Sequence, residues 1–530
     1  MPPLVALNED VLRYLFDILE PPDARRASCA SRAMHILARP CSLSEVDLGS
    51  YSWPSRNGKS VMDVVGYLLA PEPFLLQPRL TYLTKLFLPR IRFRVFIGEE
   101  EIRQALDLAL VELLSQAVFI RTLEVPNVAR YVHRESRIFD AIPRLQHLTT
   151  LILSDVVPGA LSQLRPSLHL LSSLRSLHLF LHNNTFPNSF LSPAGDSIYH
   201  FINSLSRLRR LSHLLLRGDP SCYSQALDRS ELRPLEPLPF LRHLELVAWQ
   251  PVWVPPCPQL EHLSLRDLYD TDVLVVQPFP TLRVIDFEFD ESEEGVFPTI
   301  SKEISIRHVD HLRIQGPIAV DTKLRSEATD EFRLDLFLDR IQSISAFSMG
   351  TVYYWHDVED QVAPDAVLAC AVSLGIRSLH VTSLAPEVQS ASAFGILLSC
   401  LPVSLSTIPL LHLGITLAPT WFSWTEDASE DTDVPPPVQT TYDTLPRALV
   451  DSIPTLRVLK IEIKRPREGE GAVRMRWQRW WWIERMGERA EMVELWREDG
   501  ERACELIEDR GFDREKSLDG FLTPKRVYQP

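Results

Sequence analysis

LPFLRHLELV at residues 238–247 and CPQLEHLSLR at residues 257–266 decide the fold. Each sets apolar residues at steps of three, three and two: Leu238, Leu241, Leu244, Leu246, then Cys257, Leu260, Leu263, Leu265. The last step is the period of a strand, with both side chains on one face. Steps of three also suit a helical face, so the spacing alone is ambiguous. Proline decides. The copies open IPRLQHL, LPFLRHL, CPQLEHL, FPTLRVI and IPTLRVL, and a proline there stops a helix from running through into the strand.

Outward from this pair, the spacing recurs from Leu80 to Leu88, Leu145 to Leu153, Leu171 to Leu179 and Leu208 to Leu216. Further copies run from Phe279 to Phe287, Ile306 to Ile314 and Ile453 to Ile461, and weaker ones end at Val125, Ala346, Val381 and Ile415. Segments such as DSIYHFINSL (196–205) and PDAVLACAVSLG (364–375) between copies are long enough for one helix each. A strand followed by a helix, repeated about a dozen times, predicts an α/β fold, a right-handed solenoid over 80–463. Copy spacing wanders from 19 residues (Leu244 to Leu263) to 46 (Leu413 to Leu459), which predicts an uneven array. The residues between paired strand leucines should face outward. They include His178, Glu245, Ser264, Asp286, Arg313, His380 and Lys460, each either a solvated strand position or part of a protein-binding surface.

The first 45 residues read as a separate helical unit, joined to the array by residues 46–79. Asn8 is placed to cap a helix with apolar positions Val11, Leu12, Leu15, Ile18 and Leu19, stopped by Pro21-Pro22. Asp23 and Ser31 are placed to cap two more, the third ended by Pro40. Helices this short bury little alone, so they dock on the rest of the chain or on a partner.

Composition narrows the function. The 530 residues carry a net charge of −15, which opposes binding to nucleic acid or to an anionic membrane. Apolar residues make up 45%, enough for a sizeable core, while 19 glycines leave few phosphate-cradling loops. No run approaches about 18 apolar residues, so no transmembrane helix is expected, and acids interrupt the N-terminal apolar run too early for a signal peptide. The cysteines Cys29, Cys41, Cys222, Cys257, Cys370, Cys400 and Cys504 have no C-x-x-C spacing and read as buried, reduced thiols of a cytoplasmic or nuclear protein.

Enzymatic motifs are wanting. Gly58-Lys59-Ser60 ends like a P-loop, but Trp53 stands where its first glycine belongs. Gly469 and Gly471 open a G-x-G that Arg474 breaks. His147, His243, His262 and His311 each precede a strand leucine, where the repeat itself places them, and no carboxylate or thiol converges on them in sequence. No catalytic residue, cofactor or metal is expected. TEDASEDTDVPPP (425–437) reads as a disordered acidic insertion. Residues 464–530 read as a cap and tail of one or two amphipathic helices, with Trp477, Trp480, Trp481 and Trp482 followed by Ala490, Val493 and Trp496 at helical spacing.

The array resembles leucine-rich-repeat proteins, and the start, LNEDVLRYLFDILEPPDARRASCASRAMHILARP, resembles an F-box. Together they resemble the F-box/leucine-rich-repeat family, its irregular fungal-type members in particular. Leu7-Asn8 replaces the usual Leu-Pro, Ala24 and Arg25 replace two large apolar residues, and Met34 replaces a late tryptophan. The resemblance implies an N-terminal three-helix F-box that docks through Leu7, Val11, Leu12, Leu15, Ile18 and Leu19 on the adaptor of an SCF-type cullin-RING ubiquitin ligase. The repeats would then hold the substrate protein. A repeat scaffold with a degenerate F-box and no ligase role is the alternative.

Overall fold

The protein is described by a computed structural model covering residues 9–50, 60–71, 78–89, 100–181, 193–218, 235–248, 255–266, 281–288, 308–319, 341, 343–354, 375–386, 401–403, 405–417, 436–464, 476–487, 489–509, 511–514 and 518. It is mixed α/β and divides into two units, Met1–Pro258 and Gln259–Pro530.

The first unit opens with α1 (Glu9–Ile18), α2 (Pro21–Ser28) and α3 (Arg32–Ser42). Leu12, Phe16, Ala24, Met34 and Ala38 form a small core among these three helices. Ser31 caps α3 as expected, accepting from the Met34 backbone N–H at 3.2 Å. Two expectations differ. The prolines 21 and 22 open α2 as well as closing α1, leaving Asp23 inside the first turn and paired with Arg26. Proline at N1 loses a donor that the helix start leaves unpaired anyway. Pro40 lies inside α3 rather than ending it, only two residues from the helix end.

Then come β1 (Glu45–Asp47), α4 (Val61–Leu69), β2 (Lys85–Phe87), α5 (Glu100–Gln116), β3 (Thr122–Val125), α6 (Val128–Arg134), α7 (Arg137–Ala141) and β4 (Thr150–Val156). After them run α8 (Pro158–Leu164), β5 (Ser176–Leu181), α9 (Pro193–Ser204), β6 (His213–Arg217) and β7 (His243–Val247). Each strand pairs in parallel with the next. Parallel neighbours need a crossover, which described helices supply for each of these pairs except β6 and β7. The strands begin at residue 45, not 80, because EVD at 45–47 pairs in register with Lys85–Phe87.

Register explains the leucine spacing. Leu86, Leu123, Leu151, Leu177, Leu214 and Leu244 stack one on the next across the strands, and so do Leu153, Leu179, Leu216 and Leu246. All are buried. The earlier steps of three fall in single turns, such as the 3-10 turn Ile142–Arg144 holding Pro143. DSIYHFINSL forms most of α9; PDAVLACAVSLG lies almost wholly outside the described residues.

The second unit contains β8 (His262–Arg266), β9 (Val284–Glu288), β10 (Val309–Ala319), β11 (Ile344–Tyr354), β12 (Ser378–Pro386), β13 (His412–Leu417), α10 (Pro436–Ser452) and β14 (Val458–Lys464). These strands are again parallel in chain order. One copy was misplaced. Leu312 pairs with Phe347, and Ile314 with Met349, so the repeat reads Ile341, Ile344, Phe347, Met349 rather than ending at Ala346. Pro436 and Pro437 begin α10; the rest of the acidic stretch, 425–435, lies outside the described residues.

The C-terminal expectation is overturned. Trp477 through Val493 are not helical but form β15 (Arg476–Met486) and β16 (Arg489–Leu495), an antiparallel pair added to β14. Gly487, at φ +67, opens the tight turn between them, a conformation that costs glycine little. The tryptophan run is buried on both faces, which suits aromatic residues in a strand and removes the alternation that would have betrayed it. The one described helix here is α11 (Arg497–Glu508), beginning after Trp496.

Candidate functional site

The seven outward-facing residues fall into two rows. In the first unit, Glu124, Ile152, His178, Leu215 and Glu245 are register partners across five strands. His178 lies in a run of imidazoles: its ring centroid is 5.1 Å from that of His213, which is 5.8 Å from that of His243. Burial, then the neighbouring His213, lower the His178 pKa to about 4, so the ring is neutral.

In the second unit, Ser264, Asp286, Arg313, Ser348, His380, Gly414 and Lys460 form one continuous row. Ser264 is buried. Asp286 accepts from His262 at 2.6 Å and lies 3.7 Å from Arg313. Lys460 pairs with buried Glu462 at 3.1 Å and sits over the Trp480 ring.

This second row does not present an open face at its C-terminal end, because α11 lies on it. Ala503, Cys504 and Ile507 pack with Leu411, Val458, Trp480, Trp482 and Leu495 into a second core on the outward side of the strands. The Gly500 backbone rests against the Trp480 indole, where no side chain would fit. Beyond the helix, Arg377 donates to the Asp509 carbonyl at 3.1 Å.

At the end of α11, Glu508 gathers histidines from separate strands. His380 Nε2 donates to Oε1 at 2.6 Å, and His311 Nε2 lies 3.3 Å from Oε2. The Ser378 hydroxyl lies 2.7 Å from Glu508 Oε1, 2.8 Å from His412 Nδ1 and 3.1 Å from His380 Nε2. Cys504 Sγ, one turn before Glu508, is 3.1 Å from its carboxylate, 3.4 Å from His412 Nδ1 and 3.7 Å from His380 Nε2. Burial opposes charge on Glu508, but the hydrogen bond and charge of His380 outweigh it and hold the carboxyl well below its ordinary range. Burial holds His412 neutral and pushes the Cys504 thiol up.

No family model and no curated protein matches this chain.

The four singled-out histidines have diverse surroundings. His147 stacks on Phe119, His243 neighbours His213, His262 binds Asp286, and only His311 reaches Glu508. His412, Cys504 and Glu508 were missed. The converging carboxylate and thiol lie about a hundred residues or more from their histidines, beyond the reach of a spacing rule. The i, i+4 spacing of Cys504 and Glu508 was the available signal, had their segment been read as a separate helix.

Of the N-terminal candidates, Val11, Ile18 and Leu19 are exposed, as is Tyr14; Leu15 is half-buried. Leu12 is not available to a partner, because it closes the three-helix core with Phe16. Leu7 lies outside the described residues. Among the four described cysteines, Cys257 and Cys504 are buried as expected, while Cys29 is exposed and Cys41 half-buried. Ser60, the described part of the P-loop-like triplet, caps α4 in a reciprocal pair with Asp63. Among the described residues no helix is long and apolar enough to cross a membrane. A cleft between the 3-10 turn that follows α8 and the end of α9 is lined by Arg165, His200, Ser204, Arg207 and Glu236, but the Ser204 hydroxyl donates to the Phe201 carbonyl.

Proposed function

We propose that this chain is the substrate-recognition subunit of an SCF-type cullin-RING ubiquitin ligase, without catalytic chemistry of its own. The observation that carries the reading is the N-terminal unit. Its own core is closed by Leu12, Phe16, Ala24, Met34 and Ala38, yet Val11, Tyr14 and Ile18 on α1, and Leu19 just after it, remain exposed. Clustered exposed apolar residues mark a partner site. The strand array that follows resembles a leucine-rich-repeat solenoid, and such arrays bind proteins along their strand face.

In this reading the substrate engages the row of the first unit, through His178 and Glu245, because α11 occupies part of the second row. The partners are the ligase adaptor and a protein substrate, with neither nucleic acid nor membrane; a cytoplasmic or nuclear setting follows from that partnership. The scaffold alternative draws support from α2. Ala24 is buried, and Arg25 is spent on the Ser42 and Glu45 carbonyls, so α2 offers no large apolar contact there.

Co-expression with the adaptor tests the proposal. The full chain should co-purify with it and Ile18→Asp should not, with the strand array still folded. Failure of the unaltered chain to retain the adaptor would leave the scaffold reading.

A further inference from the structure

We propose that His380, His412, Cys504 and Glu508 form a binding site for a single zinc-class divalent metal ion, which pins α11 to the outward face of β12 and β13. The four donor atoms lie within 4.8 Å of one another. A tetrahedral zinc site with two nitrogens, one sulfur and one oxygen has donor-to-donor edges of about 3.3–3.6 Å. The Cys504–His412 edge is 3.4 Å, Cys504–His380 is 3.7 Å and Cys504–Glu508 is 3.1 Å. The His380–Glu508 edge, at 2.6 Å, must open to admit an ion, while those from His412 to His380 and to Glu508 lie within 4.8 Å and close onto it.

The scaffolding is specific. Cys504 and Glu508 are one helical turn apart and share a face of α11. Ser378 pairs with His412 and His380 with Gly414, so the two imidazoles come from neighbouring strands two positions out of step. Gly414 makes that convergence possible: a Cβ there would stand 3.1 Å from His380 Nδ1 and 3.5 Å from His412 Cε1. His412 is wholly buried and lies nearly parallel to the Trp480 ring, which fixes its orientation.

The donor set selects the ion. Two imidazoles and a thiolate favour zinc and its neighbours over magnesium or calcium, which prefer oxygen alone. Binding displaces the thiol proton of Cys504, which passes to solvent, and requires His380 to present an unprotonated Nε2 to the ion. Ser378, within hydrogen-bond distance of both histidines and Glu508, would then donate to the carboxylate and orient it.

The test uses the full chain, stripped with a chelator and titrated with zinc against a chromogenic competitor, then with cobalt. About one equivalent should bind per chain, the melting temperature should rise, and cobalt should give intense tetrahedral bands with a thiolate charge-transfer band. Cys504→Ser should abolish the thiolate band and weaken zinc binding at least about tenfold. His380→Gln, at a part-exposed position, should weaken it similarly and serves as the second variant should Cys504→Ser fold poorly. No stoichiometric uptake, or uptake unchanged in a folded variant, would overturn the site and leave a hydrogen-bonded cluster.

Discussion

Glu508 accepts a hydrogen bond from His380 Nε2 at 2.6 Å although the two residues are 128 positions apart. The contact lays the last described helix across strands from the middle of the second unit. The cover is apolar as well as polar, since Ala503, Cys504 and Ile507 bury themselves on Val458, Trp480 and Leu495. Truncation after Trp496 should therefore bare a tryptophan-rich strand face. The shortened chain should bind a hydrophobic dye and aggregate on warming, and Ile507→Ala alone should cost about 2–4 kcal/mol. A truncated chain that stays monomeric and melts unchanged would mean that α11 contributes nothing to the fold.

Opposite sides of a strand should respond oppositely to substitution. Leu246→Asp and Leu265→Asp place an unpaired charge among stacked leucines and should unfold the surrounding strands, a loss of several kcal/mol. Glu245→Ala on the outward row should stay within about 0.5 kcal/mol of the parent. Chemical denaturation monitored by circular dichroism decides it, and equal losses on both sides would contradict the register.

That register was legible because leucine at steps of three, three and two has one meaning once proline forbids a continuous helix. The copy expected to end at Ala346 shows the limit: Ala346 and Phe347 are both buried apolar residues, and only pairing of Phe347 with Leu312 fixes which one lines the core. The hairpin of β15 and β16 was hidden for a different reason. Trp481 and Ile483 pack inward while Trp480 and Trp482 pack under α11, so every residue of WWWI looks like core and no period survives. The site at Glu508 was illegible because it depends on that same helix crossing over strands far away in sequence.

In the N-terminal unit, exposure separates binding from folding. Ile18→Asp should leave stability within about 0.5 kcal/mol while removing adaptor binding, since Ile18 is exposed. Leu12→Asp should unfold α1–α3 by burying a charge between Phe16 and Met34. Loss of far-ultraviolet helical signal in the Leu12 variant alone is the expected readout. Equal loss in both would place Ile18 inside the core.

Acid should weaken the first unit through His178. Its pKa in the folded chain is lowered to about 4, first by burial and then by His213, whereas the unfolded side chain titrates near about 6.5. The unfolded state thus takes up a proton first, and stability falls as pH drops from about 6.5 toward 4. Allowing for the partial exposure of the ring, the loss is about 1–2 kcal/mol. His178→Gln should flatten that part of the profile. An unchanged slope of urea midpoint against pH in the variant would mean that His178 is protonated in the folded chain.

Two helical glycines give a paired test of how closely α11 is seated. Gly66 lies inside α4 with nothing near the position of an added Cβ, so Gly66→Ala should stabilise by up to about 1 kcal/mol through lower unfolded-state entropy and better helix propensity. Gly500 gains the same intrinsic helix benefit from alanine, but its added methyl would collide with Cγ, Cδ2 and Cε3 of Trp480. Trp480 cannot easily yield, being buried beside His412 and Leu495. Overpacking of this kind costs about 1–3 kcal/mol, so Gly500→Ala should be destabilising despite the propensity gain. Tryptophan fluorescence should shift red in that variant as the indole loses its cover, and not in Gly66→Ala. A Gly500→Ala chain as stable as Gly66→Ala, with unshifted emission, would show that α11 does not rest on Trp480 in solution.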